Sequence, residues 1–469
     1  MVLLELMSPA CATTSDPKIK DDVISAIEQR KQDLIQLSDQ IWAFSETALK
    51  ETRSAKALAD YAEREGFQVE RGVAGLPTAF TASFGTGGPL IGIVGEYDAL
   101  PGISQKAVPT KQAMVEGAAG HGCGHNLFGT ASLAAAVAIK EQIAAGRLKG
   151  TIRFYGCPAE ETLIGKVQMA RAGLFDDLDV CLAWHPGDKT AADTDGSRAM
   201  VDFLVEFHGR TAHASSSPWI GRSALDGLEL FTHALNMMRE HVRPSVRMHY
   251  VITKGGDVPN VVPDYAQLWC WVRDSKRAGV QEVLERLRKV AAGAALMAEV
   301  ESRLTVQSGV HEMLVSEAGS KLLQANLQRL GPISYTAEEQ KFAQSIQREV
   351  GVEPKGLDGS VRPLQPQPVD PPGGSTDVAD VSWIVPTLNL RVTASPVGVP
   401  SHAWPVVACS GMSIGHKGML HAAKVLAATM VDLFTKPETR DSIKAEFRAK
   451  TKGLHYEPLV PGDAHKLKQ

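Results

Sequence analysis

Three short, mostly apolar segments constrain the fold of this chain more than any other feature of its sequence. They cover residues 90–94, 151–155 and 179–184, and acidic, thiol or imidazole side chains follow each of them. Apolar runs of this length are typical of strands buried on both faces of a parallel sheet. The carboxyl ends of such strands form the edge at which open α/β sheets bind ligands. The pattern predicts an α/β fold with a mixed, mostly parallel sheet between helices.

Polar side chains suited to catalysis follow the predicted strands. We expect six of them to meet in one crevice: Asp98, Cys123, His125, Glu160, Glu161 and His185. Adjacent carboxylates such as Glu160 and Glu161 can divide the work, because one can bind a metal while the other acts as a general base. A bound metal polarises a carbonyl and lowers the pKa of water toward ~7. Taken singly, however, paired glutamates are common on surface loops, and a strand-end histidine is more often structural.

The segment Gly120–Asn126 combines a thiol and two imidazoles with three glycines. The Ala-rich run at 130–139 predicts a buried helix directly after it. Because a helix N-terminus favours negative charge, we expect a lowered pKa for the Cys123 thiol. Cys123 and His125 suit a divalent metal such as zinc. This segment alone leaves two alternatives open: a passive buried cysteine, and a cysteine nucleophile with a histidine base.

The pattern of predicted strands and helices changes near residue 198. Strand, helix, strand, strand, helix and strand patterns follow one another, which predicts an inserted β-α-β-β-α-β (ferredoxin-like) unit. The predicted domains are a catalytic domain in two parts, 1–197 and 313–469, and an inserted domain at 198–312. Three further predictions concern the ends of the chain: one long helix over Lys18–Phe44, a disordered start over Met1–Thr14, and a lightly packed tail over Lys436–Gln469.

Composition argues against several classes of partner. The net charge of −4 gives no reason to expect nucleic acid or an anionic membrane surface. No apolar run approaches the ~20 residues needed to span a bilayer. The six cysteines are too few for a disulfide scaffold and suit a reducing compartment. The sequence therefore predicts a cytoplasmic protein without a membrane partner, with a lipoprotein signal at the start of the chain as the alternative.

An ordered series of motifs points to one family. In chain order these are Glu-Tyr-Asp-Ala-Leu-Pro-Gly (96–102), Gly-His-Gly-Cys-Gly-His-Asn (120–126), Cys-Pro-Ala-Glu-Glu (157–161), Trp-His-Pro (184–186), Gly-Arg-Thr-Ala-His-Ala (209–214), Pro-Asn-Val-Val-Pro (259–263), Ser-Thr-Asp-Val-Ala-Asp-Val (375–381) and Ser-His-Ala-Trp (401–404). The series resembles the aminoacylase/carboxypeptidase family of di-metal metallopeptidases. Within that family it is most similar to the amidohydrolase branch, and there to the group of aminobenzoyl-glutamate hydrolase subunits designated B, from about residue 20 to the tail.

The resemblance implies a role for each matching residue. It implies five metal ligands: Cys123, His125, Glu161, His185 and His402. Glu160 matches the general base, and Asp98 matches an aspartate that orients the site. His213 matches a histidine of the inserted lid that steadies the oxyanion in the active site of a partner subunit. Asn260 matches a lid residue near the substrate. The implied cofactors are two divalent ions, zinc or manganese, with nickel or cobalt possible, and the implied assembly is a homodimer through the lid.

Three positions depart from the pattern or leave it ambiguous. Many relatives have aspartate where this chain has Asn126, which removes a carboxylate. Glu96 stands where the peptidase branches have a metal-ligating histidine, which fits the cysteine-using branch. His416 competes with His402 for the role of the late ligand, and the Pro-framed loop around residue 402 favours His402.

These features predict a metal-dependent amidohydrolase. Its substrates would be N-acyl or N-aroyl amino acids, aminobenzoyl-glutamate-like, or small dipeptide-like amides. Water activated at the metal would attack the carbonyl while Glu160 takes its proton. One alternative is a non-catalytic or partner-dependent binding subunit that keeps a structural metal site and works beside a second subunit. Another is hydrolysis with Cys123 as the nucleophile.

Overall fold

The computed structural model describes residues 17–459, so the predicted disordered start lies outside the described residues. The strands are β1 (Gln68–Arg71), β2 (Phe80–Thr86), β3 (Leu90–Glu96), β4 (Gly150–Cys157), β5 (Val180–Gly187), β6 (Ala191–Ala192), β7 (Ala199–His208), β8 (Arg247–Lys254), β9 (Tyr265–Asp274), β10 (Glu301–Val310) and β11 (Thr387–Thr393). The helices are α1 (Pro17–Gln29), α2 (Lys31–Phe44), α3 (Thr52–Arg64), α4 (His125–Ala144), α5 (Gly165–Arg171), α6 (Ala224–Met238), α7 (Arg277–Ala298), α8 (Glu317–Leu330), α9 (Ala337–Glu349), α10 (Val378–Ser382), α11 (Trp404–Ser410), α12 (Ser413–Thr435) and α13 (Pro437–Lys450).

The larger sheet has seven strands in the order β1-β2-β4-β3-β5-β11-β6. Its four central strands, β4, β3, β5 and β11, run parallel. The strands toward both edges pair antiparallel. The predicted mixed sheet is therefore confirmed, with its parallel part at the centre. All three apolar segments of the sequence form central parallel strands, whose burial on both faces explains their unbroken apolar character.

Helix α4 fills the core beside this sheet, packing against α12 and β3. By length and composition it is apolar enough to cross a membrane, but 78% of its most apolar window is buried inside the protein. The Gly120–Asn126 segment leads directly into this helix, as predicted. Gly124 stands just before the first turn with a left-handed φ of 78°, and a Cβ there would lie 2.8 Å from Pro186 Cγ. The tight turn therefore requires glycine at this position.

The smaller sheet is antiparallel in the order β10-β7-β9-β8, with α6 and α7 packed on one face. Its core alternates along the strands, with Phe203, Val205 and Phe207 of β7 turned toward the helices. The order of elements is the β-α-β-β-α-β predicted from the sequence. The domain limits at 198 and 312 stay predictions.

Some local predictions differ from the structure. The helix predicted over Lys18–Phe44 is two helices, because the chain bends at Arg30, whose side chain contacts Glu141 on α4. The bend keeps the apolar faces of both halves on the core. The tail forms helix α13, whose one buried residue is Ile443, so this helix packs lightly. The return segment after residue 313 adds β11 to the centre of the sheet, a strand that the sequence analysis did not specify.

Candidate metal centre

The carboxyl edge of the parallel strands gathers seven of the nine side chains predicted for the site. Three overlapping groups of ligand atoms each lie within 4.8 Å of one another: Cys123, His125 and His185; Cys123, Glu161 and His402; and Glu96, His125 and Glu160. Cys123 Sγ lies 3.2 Å from His185 Nε2, and His402 Nε2 lies 3.6 Å from Glu161 Oε2. The sheet therefore brings together residues that are up to 306 positions apart in the chain, from Glu96 to His402.

Asp98 holds two parts of this cluster in place. Its Oδ1 lies 2.9 Å from His125 Nδ1, and its Oδ2 accepts a hydrogen bond of 2.8 Å from the backbone N–H of Glu161. The contact with Nδ1 fixes the His125 ring so that Nε2 faces the cluster. His125 Nε2 and Glu161 Oε1 are buried and make no hydrogen bond within the described part of the chain. Orphaned imidazole and carboxylate atoms beside a thiol are the donor set that a zinc-like divalent ion takes.

The turn that carries Glu160 and Glu161 is unusually constrained. Ala159 and Leu163, on either side of the pair, both have left-handed φ angles, of 58° and 56°. The backbone N–H of Ala159 donates a 2.9 Å hydrogen bond to the buried carboxyl of Glu51. Non-glycine residues in this conformation persist only where the surroundings impose it. The two carboxylates are therefore presented to the cluster by a strained turn that Glu51 supports.

The late histidine of the cluster is His402. Its φ of 56° is left-handed, and its backbone N–H donates to Gly122 O at 3.0 Å, which ties the Pro-framed loop to the Cys123 segment. His416 instead lies on α12, with its Nε2 2.8 Å from Asp39 Oδ1. The geometry thus favours His402 over His416. Asn126, the position that departs from many relatives, donates to Ser38 and Ser410 and so belongs to the packing beneath the loop.

Burial dominates the electrostatics of the cluster. In the metal-free protein, burial and the negative charges of Glu96 and Glu161 raise the pKa of Glu160 well above its usual range. Burial and the positive charge of His125 lower the pKa of His185 well below its usual range. The expected low pKa of Cys123 is wrong, because burial of its thiol raises that pKa instead. Loss of solvation outweighs the helix dipole at this position, and a metal ion is the agent that would favour the thiolate.

A buried group that the sequence analysis did not identify lies under the cluster. Lys166 Nζ lies 2.7 Å from Glu96 Oε1 and also contacts Asp377 Oδ1, and all three side chains are buried. Glu96 Oε2 in turn lies 3.2 Å from His125 Nε2. Burial opposes the charge of Lys166, but Asp377 and Glu96 raise its pKa well above the usual range. No pattern in the sequence distinguishes this lysine from a surface lysine on a short helix.

The remaining two predicted residues, His213 and Asn260, lie away from the cluster of their own chain. Both are exposed on adjacent loops of the smaller sheet, where the backbone N–H of Ala214 donates to Asn260 O at 3.0 Å. His213 Nδ1 accepts hydrogen bonds from the backbone of Ser215 and Ser216, at 3.1 and 3.2 Å. Neither residue lines the cavity beside this cluster.

That cavity has a volume of about 470 Å³ and opens between the two sheets. Cys123, Glu160 and His185 line one side of it, and Trp271 and Arg273 of β9 line another. Arg391 of β11 completes the wall beyond His185. No sequence pattern predicts these last three residues, because strand alternation alone does not show which face of β9 or β11 meets the carboxyl edge of the parallel strands.

Comparison with known proteins agrees with this geometry. The model of peptidase family M20/M25/M40 matches residues 92–393. The chain is 38% identical to the subunit designated B of p-aminobenzoyl-glutamate hydrolase from Escherichia coli (strain K12) over 467 residues, which cover 94% of this chain and 96% of that protein. It is 29% identical to the Xaa-Arg dipeptidase of Homo sapiens over 90% of this chain and 91% of that protein.

A solved structure shares the fold. It is a dinuclear metal binding peptidase from the M20 family of Bacillus subtilis, with a TM-score of 0.58 and 18% sequence identity, covering 87% of this chain and 99% of that one. The fold, the family model and the long match at 38% identity agree with each other. This chain belongs to peptidase family M20/M25/M40 and is a metal-dependent hydrolase of amide bonds.

Proposed function

We propose that this protein hydrolyses the amide bond of N-acyl or N-aroyl amino acids, aminobenzoyl-glutamate-like, or of small dipeptide-like amides. The observation that carries the proposal is the Glu160–Glu161 turn, which sets one carboxylate among metal ligands and a second beside them. The relative at 38% identity is named for aminobenzoyl-glutamate hydrolysis and a second relative for Xaa-Arg dipeptides. Both names describe cleavage of an amide that leaves a free amino acid.

Two divalent ions fit the site. The donors for them would be Cys123, His125, Glu161, His185 and His402, and the mixture of thiolate, imidazole and carboxylate suits zinc or manganese, and also nickel or cobalt. When bound, such ions supply Lewis-acid chemistry, since they polarise an amide carbonyl and make water acidic near neutral pH.

Glu160 is the residue that we propose to move protons. Its carboxyl is buried beside Glu96 and His125 and is not needed as a metal ligand, which leaves it available to accept the proton of the attacking water. The same group then returns a proton to the leaving nitrogen. Asp98 takes no part in this transfer. It holds His125 and the backbone of Glu161 in place through the two hydrogen bonds described above.

We further propose a homodimer formed through the inserted unit, which would act as a lid. Strand β8 is an edge of its sheet and exposes Val251 and Ile252, 56% and 49% accessible. An exposed apolar edge strand favours pairing with another chain. His213, exposed and remote from its own cavity, would then enter the partner's site and donate to the oxyanion of the reacting carbonyl.

We also propose a cytoplasmic location. Five of the six cysteines lie within residues 17–459 and all five are free thiols, which supports a protein of a reducing compartment.

The deciding experiment is an assay of the purified chain alone. The protein is stripped with a chelator, reloaded with zinc or manganese, and tested with a panel of N-acyl and N-aroyl amino acids and dipeptides. Hydrolysis that requires the metal supports the proposal. Metal binding without hydrolysis supports the alternative of a partner-dependent subunit. Activity that survives the chelator but not alkylation would support Cys123 as the nucleophile.

The comparisons give a reason to keep the partner-dependent alternative in the test. The Escherichia coli (strain K12) hydrolase of p-aminobenzoyl-glutamate also has a subunit designated A, which is 32% identical to this chain over 241 residues, 48% of this chain and 55% of that subunit. If the chain alone is inactive, the assay is repeated with a protein of that type added.

A further inference from the structure

The backbone on either side of Glu160 is held by two different buried carboxyl groups. The N–H of Ala159, which precedes Glu160, donates to Glu51 Oε1 at 2.9 Å. The N–H of Glu161, which follows Glu160, donates to Asp98 Oδ2 at 2.8 Å. A buried N–H that loses its acceptor is costly, so each carboxyl restricts the positions that its half of the turn can take. Glu160 therefore lies between two fixed points of the backbone.

Glu51 holds this turn from behind and does not line the cavity. Its side chain is fully buried, immediately before α3. Its Oε1 also accepts a hydrogen bond of 2.9 Å from the backbone N–H of Leu49, and its Oε2 accepts one of 3.1 Å from the hydroxyl of Thr78. These donors precede α3 and β2, while Ala159 follows β4. One carboxyl thus ties three loops together behind the candidate metal cluster.

Two of the backbone groups that Glu51 holds belong to residues in the left-handed conformation. The φ angles are 64° at Leu49 and 58° at Ala159, a region that residues with a side chain rarely adopt. Such a conformation persists only where its surroundings impose it. Because Ala159 directly precedes Glu160, relaxation of its backbone would change the direction in which the Glu160 side chain leaves the turn.

We propose that Glu51 is a positioning residue that acts through Glu160, by holding the Ala159 peptide so that the Glu160 carboxyl faces the metal cluster. The inference rests on the proposed function, because it gives Glu51 a part in the proton transfer made by Glu160. Misplacement of a catalytic group by about 1 Å can reduce a rate by about 100-fold. The effect should fall on kcat, since none of the hydrogen bonds above joins Glu51 to the cavity or to a proposed metal ligand.

The test compares metal-loaded wild type with Glu51→Met, Glu51→Gln and the control Glu46→Leu. Methionine fills the space of glutamate without offering a strong acceptor. Glutamine keeps an acceptor oxygen for both N–H groups, and its NH₂ can donate to the hydroxyl that the carboxyl contacts. Glu46 accepts hydrogen bonds from the backbone of Arg53 and Ser54 at the same end of α3, and not from the turn that carries Glu160.

The proposal predicts a loss of rate without a loss of binding. Glu51→Met should reduce kcat about 30-fold or more, with KM and metal content unchanged. Glu51→Gln should stay within about 3-fold of the wild type, because both N–H groups keep their acceptor. Glu46→Leu should lower the thermal midpoint, since it removes acceptors from the start of a helix, but should leave kcat unchanged. In a Glu160→Gln background, Glu51→Met should add no further loss.

Three results would overturn the proposal: an equal loss of kcat in Glu51→Gln and Glu51→Met, a loss of metal from Glu51→Met, or a full additional loss in the Glu160→Gln background. If Glu51→Met fails to fold, Glu51→Asp decides, because a carboxyl one methylene shorter withdraws from the N–H of Ala159. Its kcat should then fall at unchanged KM and metal content, and a normal kcat rejects the role.

A readout that needs no substrate separates this role from the proposed function. If the wild type hydrolyses no member of the panel, the proposed function fails, and hydrogen exchange of segment 157–163 is measured by mass spectrometry in the same metal-loaded proteins. Faster exchange there in Glu51→Met, but not in Glu51→Gln or Glu46→Leu, sustains the positioning role. Equal exchange in all four proteins rejects it.

Discussion

At the scale of single residues, a buried lysine supplies the positive charge that balances two buried carboxylates at the site. Lys166 lies between Glu96 at the end of β3 and Asp377 before α10, and its backbone N–H also donates to Asp377 at 2.8 Å. A fully buried ammonium is stable only when carboxylates surround it. Because Glu96 also faces His125, the lysine links the candidate metal cluster to the part of the chain that follows the insertion.

Replacing this lysine by an isosteric apolar residue should therefore destabilise the protein. We expect Lys166→Met to lower the free energy of unfolding of the metal-free protein by about 3–5 kcal/mol, since it leaves two buried carboxylates without a cation. Urea-induced unfolding measures the change. The matched control is Lys56→Met, which removes a lysine that is 71% exposed and pairs with Asp60 on the same helix, at a cost of ~0.5 kcal/mol or less. A loss below ~1 kcal/mol in Lys166→Met would contradict this account.

The base assignment is also a residue-scale prediction. Glu160→Gln should retain its metal, because the residue is not among the proposed ligands, while kcat falls by about 10²–10⁴-fold. Glu161→Gln should lose metal as well as activity. Elemental analysis of both variants, alongside steady-state kinetics, separates the two roles. Near-normal turnover in metal-loaded Glu160→Gln would show that another group accepts the proton.

At the scale of elements, helix α10 joins the catalytic edge to the inserted unit and the tail. Its Asp380 accepts hydrogen bonds from the backbone of His311, just beyond β10, at 3.1 Å and from the hydroxyl of Tyr456 in the tail at 2.9 Å. Burial and the nearby negative charge of Asp377 raise the pKa of Asp380 to about 8, although the two hydrogen bonds and the charge of Arg277 oppose the shift. One buried carboxyl thus connects three separate segments.

This raised pKa predicts a dependence of stability on pH. An acid whose pKa is higher in the folded state binds its proton more tightly there, so its contribution is full below about pH 4 and is lost as the pH rises through about 8. The comparison is with Asp380→Asn, which cannot titrate. Between pH 5 and pH 8 the free energy of unfolding of the wild type should fall relative to that of the variant. Denaturant melts at both pH values measure this, and a parallel pH dependence in the two proteins would show that Asp380 does not titrate in this range.

At the scale of the whole molecule, the inserted unit leaves the catalytic unit after Arg198 and returns near His311. Two residues of the inserted unit, Trp271 and Arg273, line the cavity beside the candidate metal cluster of the same chain. His213 of the same unit lies outside that cavity. A two-fold dimer through β8 would bring His213 of each protomer to the cavity of the other. Movement of the unit would then open and close the cavity during turnover.

Mixing two inactive variants tests that arrangement. If His213 acts on the partner protomer, Glu160→Gln and His213→Asn should each be nearly inactive alone. After equimolar mixing and exchange of protomers, half the dimers are mixed and one site in each is intact, which restores about a quarter of the wild-type activity. Sedimentation checks that dimers form. A mixture no more active than its components would exclude a contribution of His213 across the interface.

The ordered motifs and short apolar runs were enough to predict the parallel core, the inserted β-α-β-β-α-β unit and a crevice holding Cys123, His125, Glu160, Glu161 and His185. These features can be predicted locally, because the apolar run of a buried strand and the polar residues that follow it are neighbours in the chain. Tertiary structure alone decided the pKa of Cys123, the burial of Lys166 between two acids, and the pairing of Arg391 with His185. Each of these depends on which distant segments exclude water from a side chain, and no single stretch of sequence carries that information.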